Sequence, residues 1–183
     1  AIISSTLIGD IKMNQPILFL PSDHYLPEKN KFNRILKSNL SNLDNENIFI
    51  FGIKPKTPTS DYGYLLSKKI NMKINRVIKF IEKPKEKKAK MFIERKALWN
   101  SGIVLARKDS IINNSKTNQK NLFNSCLNAS IKSKTKNNTI NLNKKYFSQI
   151  KAVSFDYAIL EQAKAINSIK LNLIWSDLGN WKE

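Results

Sequence analysis

The chain has 183 residues, 41% of them hydrophobic and 9% aromatic, which is enough for one domain with a real core and excludes disorder throughout. Its 32 Lys+Arg against 14 Asp+Glu leave a net charge of +18, which suits phosphate-rich partners, but the lysines are spread along the chain and the one dense run, Lys83 to Lys90, reads as a solvated helix face. No apolar segment approaches the roughly 20 residues that span a bilayer, and a single cysteine, Cys126, excludes an internal disulfide; the expectations are a cytoplasmic protein with no membrane or nucleic-acid partner, and Cys126 as a small core residue.

Ala1 to Lys12 carries apolar pairs at Ile2-Ile3 and Leu7-Ile8, a weak helical spacing closed by Gly9. The stretch that organises the chain follows, from Gln15 to His24. Its unbroken apolar run, Ile17 to Leu20, predicts a central strand buried on both faces. Pro21 ends that strand because it has no N–H to give a ladder. Asp23 then stands at the strand's carboxyl end, where open α/β sheets bind ligands; the competing reading is a cap for the helix predicted over Pro27 to Leu43. Phe32, Ile35, Leu36, Leu40 and Leu43 give that helix one apolar stripe.

Ile48 to Ile53 is a second unbroken apolar run, so strand, helix and strand predict a βαβ unit. Gly63 lies between Tyr62 and Tyr64. Either it lets a ligand approach the backbone beside two aromatic walls, or it is a bulge glycine with tyrosines on the sheet surface. Ile74 to Glu82 predicts a strand ending in Glu82-Lys83-Pro84, the layout of the first strand repeated. Two strands ending alike suggest one shared rim. There Glu82 can accept hydrogen bonds from sugar hydroxyls and Lys83 can balance a phosphate, unless the two form only an exposed ion pair.

Lys85 to Leu98 predicts a helix; Trp99-Asn100-Ser101-Gly102 follows it, and Ile103-Val104-Leu105 starts another buried strand. Asn100 offers a donor and an acceptor to a polyol. Residues 107–145 show an interrupted helical pattern to which no chemistry is assigned. Phe155 to Ala165 predicts a helix with Asp156 near its start, where negative charge suits the dipole. Ile169 to Ile174 predicts a strand leading into Trp175-Ser176-Asp177, a second aspartate after an apolar strand, able to meet Asp23 at one sheet edge. His24, the only histidine, is expected to give a supporting hydrogen bond rather than acid–base catalysis.

Seven motifs in register resemble bacterial mannose-1-phosphate guanylyltransferases, of the sugar nucleotidyltransferase family: Pro21-Ser22-Asp23-His24, Phe51-Gly52-Ile53-Lys54-Pro55, Tyr62-Gly63-Tyr64, Glu82-Lys83-Pro84, Trp99-Asn100-Ser101-Gly102, Ser154-Phe155-Asp156-Tyr157-Ala158 and Trp175-Ser176-Asp177-Leu178-Gly179. The resemblance implies an α/β fold with a Rossmann-like nucleotidyltransferase sheet, mixed and mostly parallel, flanked by helices. It implies formation of GDP-mannose and pyrophosphate from GTP and mannose 1-phosphate, as in polysaccharide biosynthesis. Asp23 and Asp177 would hold Mg²⁺ and, with Lys83, act in catalysis; Gly63, Glu82, Lys83, Asn100 and Gly102 would bind substrate.

Physical chemistry agrees, because joining two phosphates brings anions together and needs positioning and neutralisation more than a protein nucleophile. Hard Mg²⁺ takes one or two carboxylates with phosphate oxygens and water. The family's signature, Gly-x-Gly-x-Arg-Leu-x-Pro, has no match here and is expected before Ala1. Residues 1–183 are therefore read as an excised, partial catalytic domain, incomplete at its N-terminus and holding the metal and sugar-phosphate half. Ser22 stands where alanine is usual in the family and Asn180 where serine is. A thymidylyl- or cytidylyltransferase acting on glucose 1-phosphate, or a non-catalytic basic binding protein, are the alternatives; a homo-oligomer stays open.

Overall fold

The computed structural model describes residues 1–137 and 139–178. Its centre is strand β2, Ile48–Ile53, six residues that are all buried. Alternation along β2 divides the core. Ile48 and Ile50 join one apolar cluster, while Phe49, Phe51 and Ile53 join another on the opposite face. The remaining strands of the large sheet are β1 (Pro16–Phe19), β3 (Tyr64–Lys69), β4 (Asn75–Ile81), β5 (Leu98–Arg107) and β8 (Ile166–Leu171), with a separate small hairpin of β6 (Lys134–Lys136) and β7 (Thr139–Asn141).

Helices cover both faces. Phe32 of α2 (Lys29–Lys37) and Ala89 and Phe92 of α3 (Glu86–Glu94) pack with Phe49 and Phe51. Ile3 of α1 (Ile2–Thr6), Ile111 and Ile112 of α4 (Lys108–Asn118), and Phe123 and Cys126 of α5 (Lys120–Ile131) pack with Ile48 and Ile50. Cys126 is thus the small core residue expected of it. A short helix, α6 (Lys144–Phe147), and a π-helical turn, Asp156–Leu160, complete the order.

The α/β class and the flanking helices are as expected, and the balance of the sheet is corrected. Strand order is β1-β5-β2-β8-β4-β3, and among the described pairings only β2–β8 is parallel. The unit from β1 through α2 to β2 does carry two strands in the same direction. They are separated by β5, which runs antiparallel between them. The sheet is mixed and mainly antiparallel because β5 returns into it from a distant part of the chain, a pairing that local periodicity does not record.

The organising strand is also corrected. β1 sits at an edge, bonded to β5, and its residues are exposed or half-buried. Four apolar residues suffice for an edge strand lying on β5, and Leu20, beyond its end, is 56% exposed. The strand expected to start at Ile103 starts earlier, so the 99–102 segment lies inside the ten-residue β5. Gly102 there has φ +74°, a conformation that glycine adopts without the Cβ clash, so the strand bends without breaking. At its start β5 touches two partners, with Trp99 opposite both Ile53 of β2 and Tyr64 of β3. Gly52 permits this crowding: a Cβ there would lie 2.6 Å from Leu98 Cδ1.

The helix predicted over Pro27 to Leu43 is shorter, ending at Lys37 before a 3₁₀ turn at Leu40–Asn42. Its N-cap is Glu28, not Asp23. The capping explanation for Asp23 is withdrawn. The strand expected over Ile169 to Ile174 starts and ends three residues earlier, and residues 172–178 leave the sheet as an irregular segment.

Candidate active site

One rim of the sheet collects the end of β4, the starts of β3 and β5, and the segments that follow β1 and β8. The last two are stitched together by backbone. Tyr25 N–H donates to Ser176 C=O at 2.8 Å, and Ser176 N–H returns a bond to Tyr25 C=O at 3.2 Å. That bridge carries Asp23 and Asp177 to the same place from 154 positions apart. His24 lies where both are felt: burial pushes its imidazole below the ordinary range, while the carboxylates of Asp23 and Asp177 pull it back up. The Trp175 indole donates to His24 Nδ1 at 3.2 Å, so a neutral ring carries its proton on Nε2. His24 supplies the expected supporting hydrogen bond, as acceptor.

Beside these acids opens a cavity of about 140 Å³, lined by His24, Gly63, Glu82, Asn100, Asp156 and Asp177 among others. Tyr62 forms part of its wall. Its ring packs at a tilt against Trp99 at 4.7 Å and edge-on against Trp175 at 5.7 Å, and its hydroxyl donates to Asp177 Oδ1 at 2.9 Å. Tyr64 does not wall the cavity: it is fully buried, its hydroxyl held by the backbone of Thr59. The surface-tyrosine reading of this motif is therefore corrected. Gly63 is no bulge glycine either, since the irregularity between β3 and β4 falls at Leu66/Ser67. What Gly63 provides is room, because a Cβ there would lie 2.5 Å from Glu82 Oε2.

Glu82 and Asn100 face one another across this space through different partners. The Asn100 backbone N–H donates to Gly63 C=O at 2.8 Å, its side-chain Nδ2 donates to Asp156 Oδ1 at 2.8 Å, and its Oδ1 accepts from Gly102 N–H at 3.3 Å. Glu82 is half-buried, and Oε2 has no hydrogen-bond partner. Burial lifts its carboxyl to about 7, with Asp156 adding to the rise, Lys83 opposing it and Glu161 adding again. Asp156 is raised as well, by burial first, against its own backbone N–H and the Asn100 amide. Glu82 is therefore not one half of an exposed ion pair.

Lys83 is exposed and sits in the left-handed region at φ +44°, an uncommon conformation for a residue with a Cβ that is often kept at functional sites. Gly102 lies where β5 meets the loop after β1; a Cβ there would stand 3.3 Å from Pro21 Cγ and 3.7 Å from His24 Cε1. The rim thus gathers Gly63, Glu82, Asn100, Gly102 and Asp177 around the cavity, with Asp23 exposed next to His24 and Lys83 next to Glu82. Gly179 and Asn180, named from the last motif, lie outside the described residues.

The sequence alone gives Asp156 no role beyond complementing a helix dipole and gives no sign of Glu161. The Ser154 to Ala158 motif was a signal for Asp156, but its contact with Asn100 spans 56 positions and leaves no local pattern. Among the described residues, no group of three or more His, Cys, Asp or Glu is arranged to hold a metal ion. A larger cleft of about 760 Å³ runs between α2 and the β3–β4 turn, lined by Lys31, Arg34, Lys69, Lys73 and Lys170. It holds none of the clustered carboxylates, so convergent polar chemistry rather than volume selects the smaller cavity. No described helix is long and apolar enough to cross a membrane.

Residues 1–183 match the nucleotidyl transferase family. The chain is 29% identical over 182 residues to a mannose-1-phosphate guanylyltransferase of Escherichia coli, covering 93% of this chain and 39% of that protein. It is 30% identical over 168 residues to the mannose-1-phosphate guanylyltransferase of Sinorhizobium fredii, covering 90% and 33%, and 28% identical over 169 residues to the alginate biosynthesis protein AlgA of Pseudomonas syringae, covering 90% and 35%. It thus spans roughly a third of the length of these relatives. The fold is like that of a mannose-1-phosphate geranyltransferase from Thermus thermophilus, with TM-score 0.79 and 20% identity over 92% of this chain and 48% of the other. It is also like that of a mannose-6-phosphate isomerase from Helicobacter pylori, with TM-score 0.84 and 23% identity over 96% and 68%.

Proposed function

The chain belongs to the nucleotidyl transferase family, and from that premise we propose that it forms GDP-mannose and pyrophosphate from GTP and mannose 1-phosphate, with Mg²⁺ held by Asp23 and Asp177. The observation that carries this reading is the meeting of those two acids around His24, at the mouth of a polar cavity that holds Glu82, Asn100 and Gly63. Relatives named mannose-1-phosphate guanylyltransferase support the choice of sugar and nucleobase.

The donor set fits the ion. Two carboxylate side chains on one rim leave most coordination positions to phosphate oxygens and water, which is how Mg²⁺ is usually bound. When bound there, Mg²⁺ neutralises phosphate charge. His24 does not compete for it through Nδ1, whose lone pair is taken by the Trp175 indole. Tyr62 fixes one oxygen of Asp177 by donating its hydroxyl to it.

The sugar phosphate occupies the cavity with its hydroxyls on Glu82 and on the Asn100 amide, close against the Gly63 backbone. Lys83, on its left-handed turn, supplies a positive charge to the phosphate that attacks. The attacking sugar phosphate oxygen is already ionised near neutral pH, so no protein base is required for the in-line displacement. Assaying GTP, ATP, UTP and dTTP side by side with mannose 1-phosphate, with any segment encoded upstream of Ala1 included, tests the reading. GDP-mannose as the dominant product is expected; a different dominant product contradicts the substrate choice.

A further inference from the structure

The turn Asp156–Leu160 is π-helical, closed by the Glu161 N–H donating to Asp156 C=O at 2.9 Å. Such turns are rare and recur at functional sites. Its middle is anchored: Ala158, Ile159 and Leu160 are buried in the cluster with Ile48 and Ile50. Its two ends carry carboxylates that reach the sugar-binding candidates. Asp156 Oδ1 accepts from Asn100 Nδ2 at 2.8 Å, and Glu161 Oε1 accepts from the backbone N–H of Glu82 at 2.9 Å. In an α-helix, residues five apart point about 140° away from each other. A π-turn, which pairs i with i+5, lets both ends serve one site.

We propose that Asp156 and Glu161 are positioning residues of the sugar-phosphate pocket, Asp156 holding the Asn100 amide in one orientation and Glu161 holding the backbone at Glu82. The inference rests on the reading that Asn100 and Glu82 bind mannose 1-phosphate. An amide can present its C=O and NH₂ either way round. Here Asp156 takes the NH₂ and Gly102 N–H takes the C=O, so a single N–H and a single lone pair are left in defined directions for substrate hydroxyls. Without Asp156 both orientations become available, and a polyol meets a donor where it needs an acceptor. Glu161 acts on the other wall by tying down the residue ahead of the left-handed Lys83.

Calorimetric titration of mannose 1-phosphate into the full chain tests this with a double-mutant cycle of Asp156→Ala and Asn100→Ala. Asp156→Ala is expected to raise Kd about tenfold in the native background, but less than about twofold once Asn100 is alanine, because coupled residues are not additive. Asp156→Asn keeps an acceptor oxygen and restores most of the affinity. Glu161 is exposed, so Glu161→Ala keeps the test standing if Asp156→Ala does not fold; it weakens binding and Glu161→Gln rescues it. Independent, additive losses at Asp156 and Asn100, or unchanged binding in Glu161→Ala, overturn the positioning role. No binding by the wild-type protein instead overturns the substrate reading on which it rests.

Discussion

The hydroxyl of Tyr62 donates to Asp177 Oδ1 at 2.9 Å across 115 positions of sequence. The ring that carries it is held between Trp99 and Trp175, and the Trp175 indole in turn donates to His24, next to Asp23. Aromatic packing therefore holds the hydroxyl that fixes Asp177 and the imidazole next to Asp23. Tyr62→Phe keeps the packing and removes only the hydroxyl. Partners that orient a metal-binding carboxylate typically change affinity by about 10-fold or more, so Mn²⁺ titration followed by electron paramagnetic resonance should show weakening on that scale, with the thermal midpoint changed little. An unchanged Mn²⁺ affinity would show that Asp177 does not depend on Tyr62.

Gly63→Ala asks whether the closeness of backbone and Glu82 matters. The added methyl would stand 2.5 Å from Glu82 Oε2 and 3.2 Å from Phe80 Cζ, so the Glu82 side chain must leave its place. Binding of mannose 1-phosphate should weaken at least about tenfold, the order expected when a positioned polar partner of a substrate hydroxyl is lost, while the fold persists. Wild-type affinity in this variant would remove Glu82 from the sugar site.

Lys83 pairs strain with charge. Lys83→Gly relieves a left-handed backbone at φ +44°, worth about 1 kcal/mol, while removing the cation proposed to meet the phosphate. The variant should melt higher and turn over more slowly, measured by thermal unfolding and initial rates. Faster or unchanged turnover would show that the Lys83 charge does not act on the phosphate.

The Glu82 carboxyl, lifted to about 7 by burial first, binds a proton more tightly folded than unfolded. The folded state thus holds more protons than the unfolded one across the interval from the ordinary carboxylate range up to about 7, and stability must fall as pH rises through it. Asp156 shifts in the same direction. Glu82→Gln, which cannot ionise, should flatten that decline in chemical denaturation measured across the interval. A wild-type slope that survives the substitution assigns the decline to other groups.

Sequence and structure agree best where chemistry is local. Ile48 to Ile53 announces a strand buried on both faces because its unbroken apolar run contains no exposed position, and all six residues are buried. The same logic misreads Ile17 to Leu20, since a run of four says nothing about how many neighbours a strand has, and β1 has β5 on one side. The strand expected to start at Ile103 starts at Leu98 instead, because a positive φ at Gly102 lets β5 bend and continue through Asn100.

The site was legible as separate strand ends, and the structure draws them together on one rim. What the sequence hid are contacts between distant positions: Tyr62 with Asp177, Asn100 with Asp156, and Glu82 with Glu161. The π-turn that joins the last two has no periodic signature of its own, because one extra residue in a turn is invisible to a 3.6-residue pattern.

The central claim is that Asp23 and Asp177 act on phosphates through a shared divalent cation. It is tested most directly by mannose-1-phosphate-dependent release of pyrophosphate from GTP in Mg²⁺, with any segment encoded upstream of Ala1 included, comparing the wild type with Asp177→Ala. The account predicts release by the wild type and a loss of at least about a hundredfold in a folded Asp177→Ala protein, on the scale of removing a group that stabilises transition-state charge. Equal rates in the two proteins would contradict it.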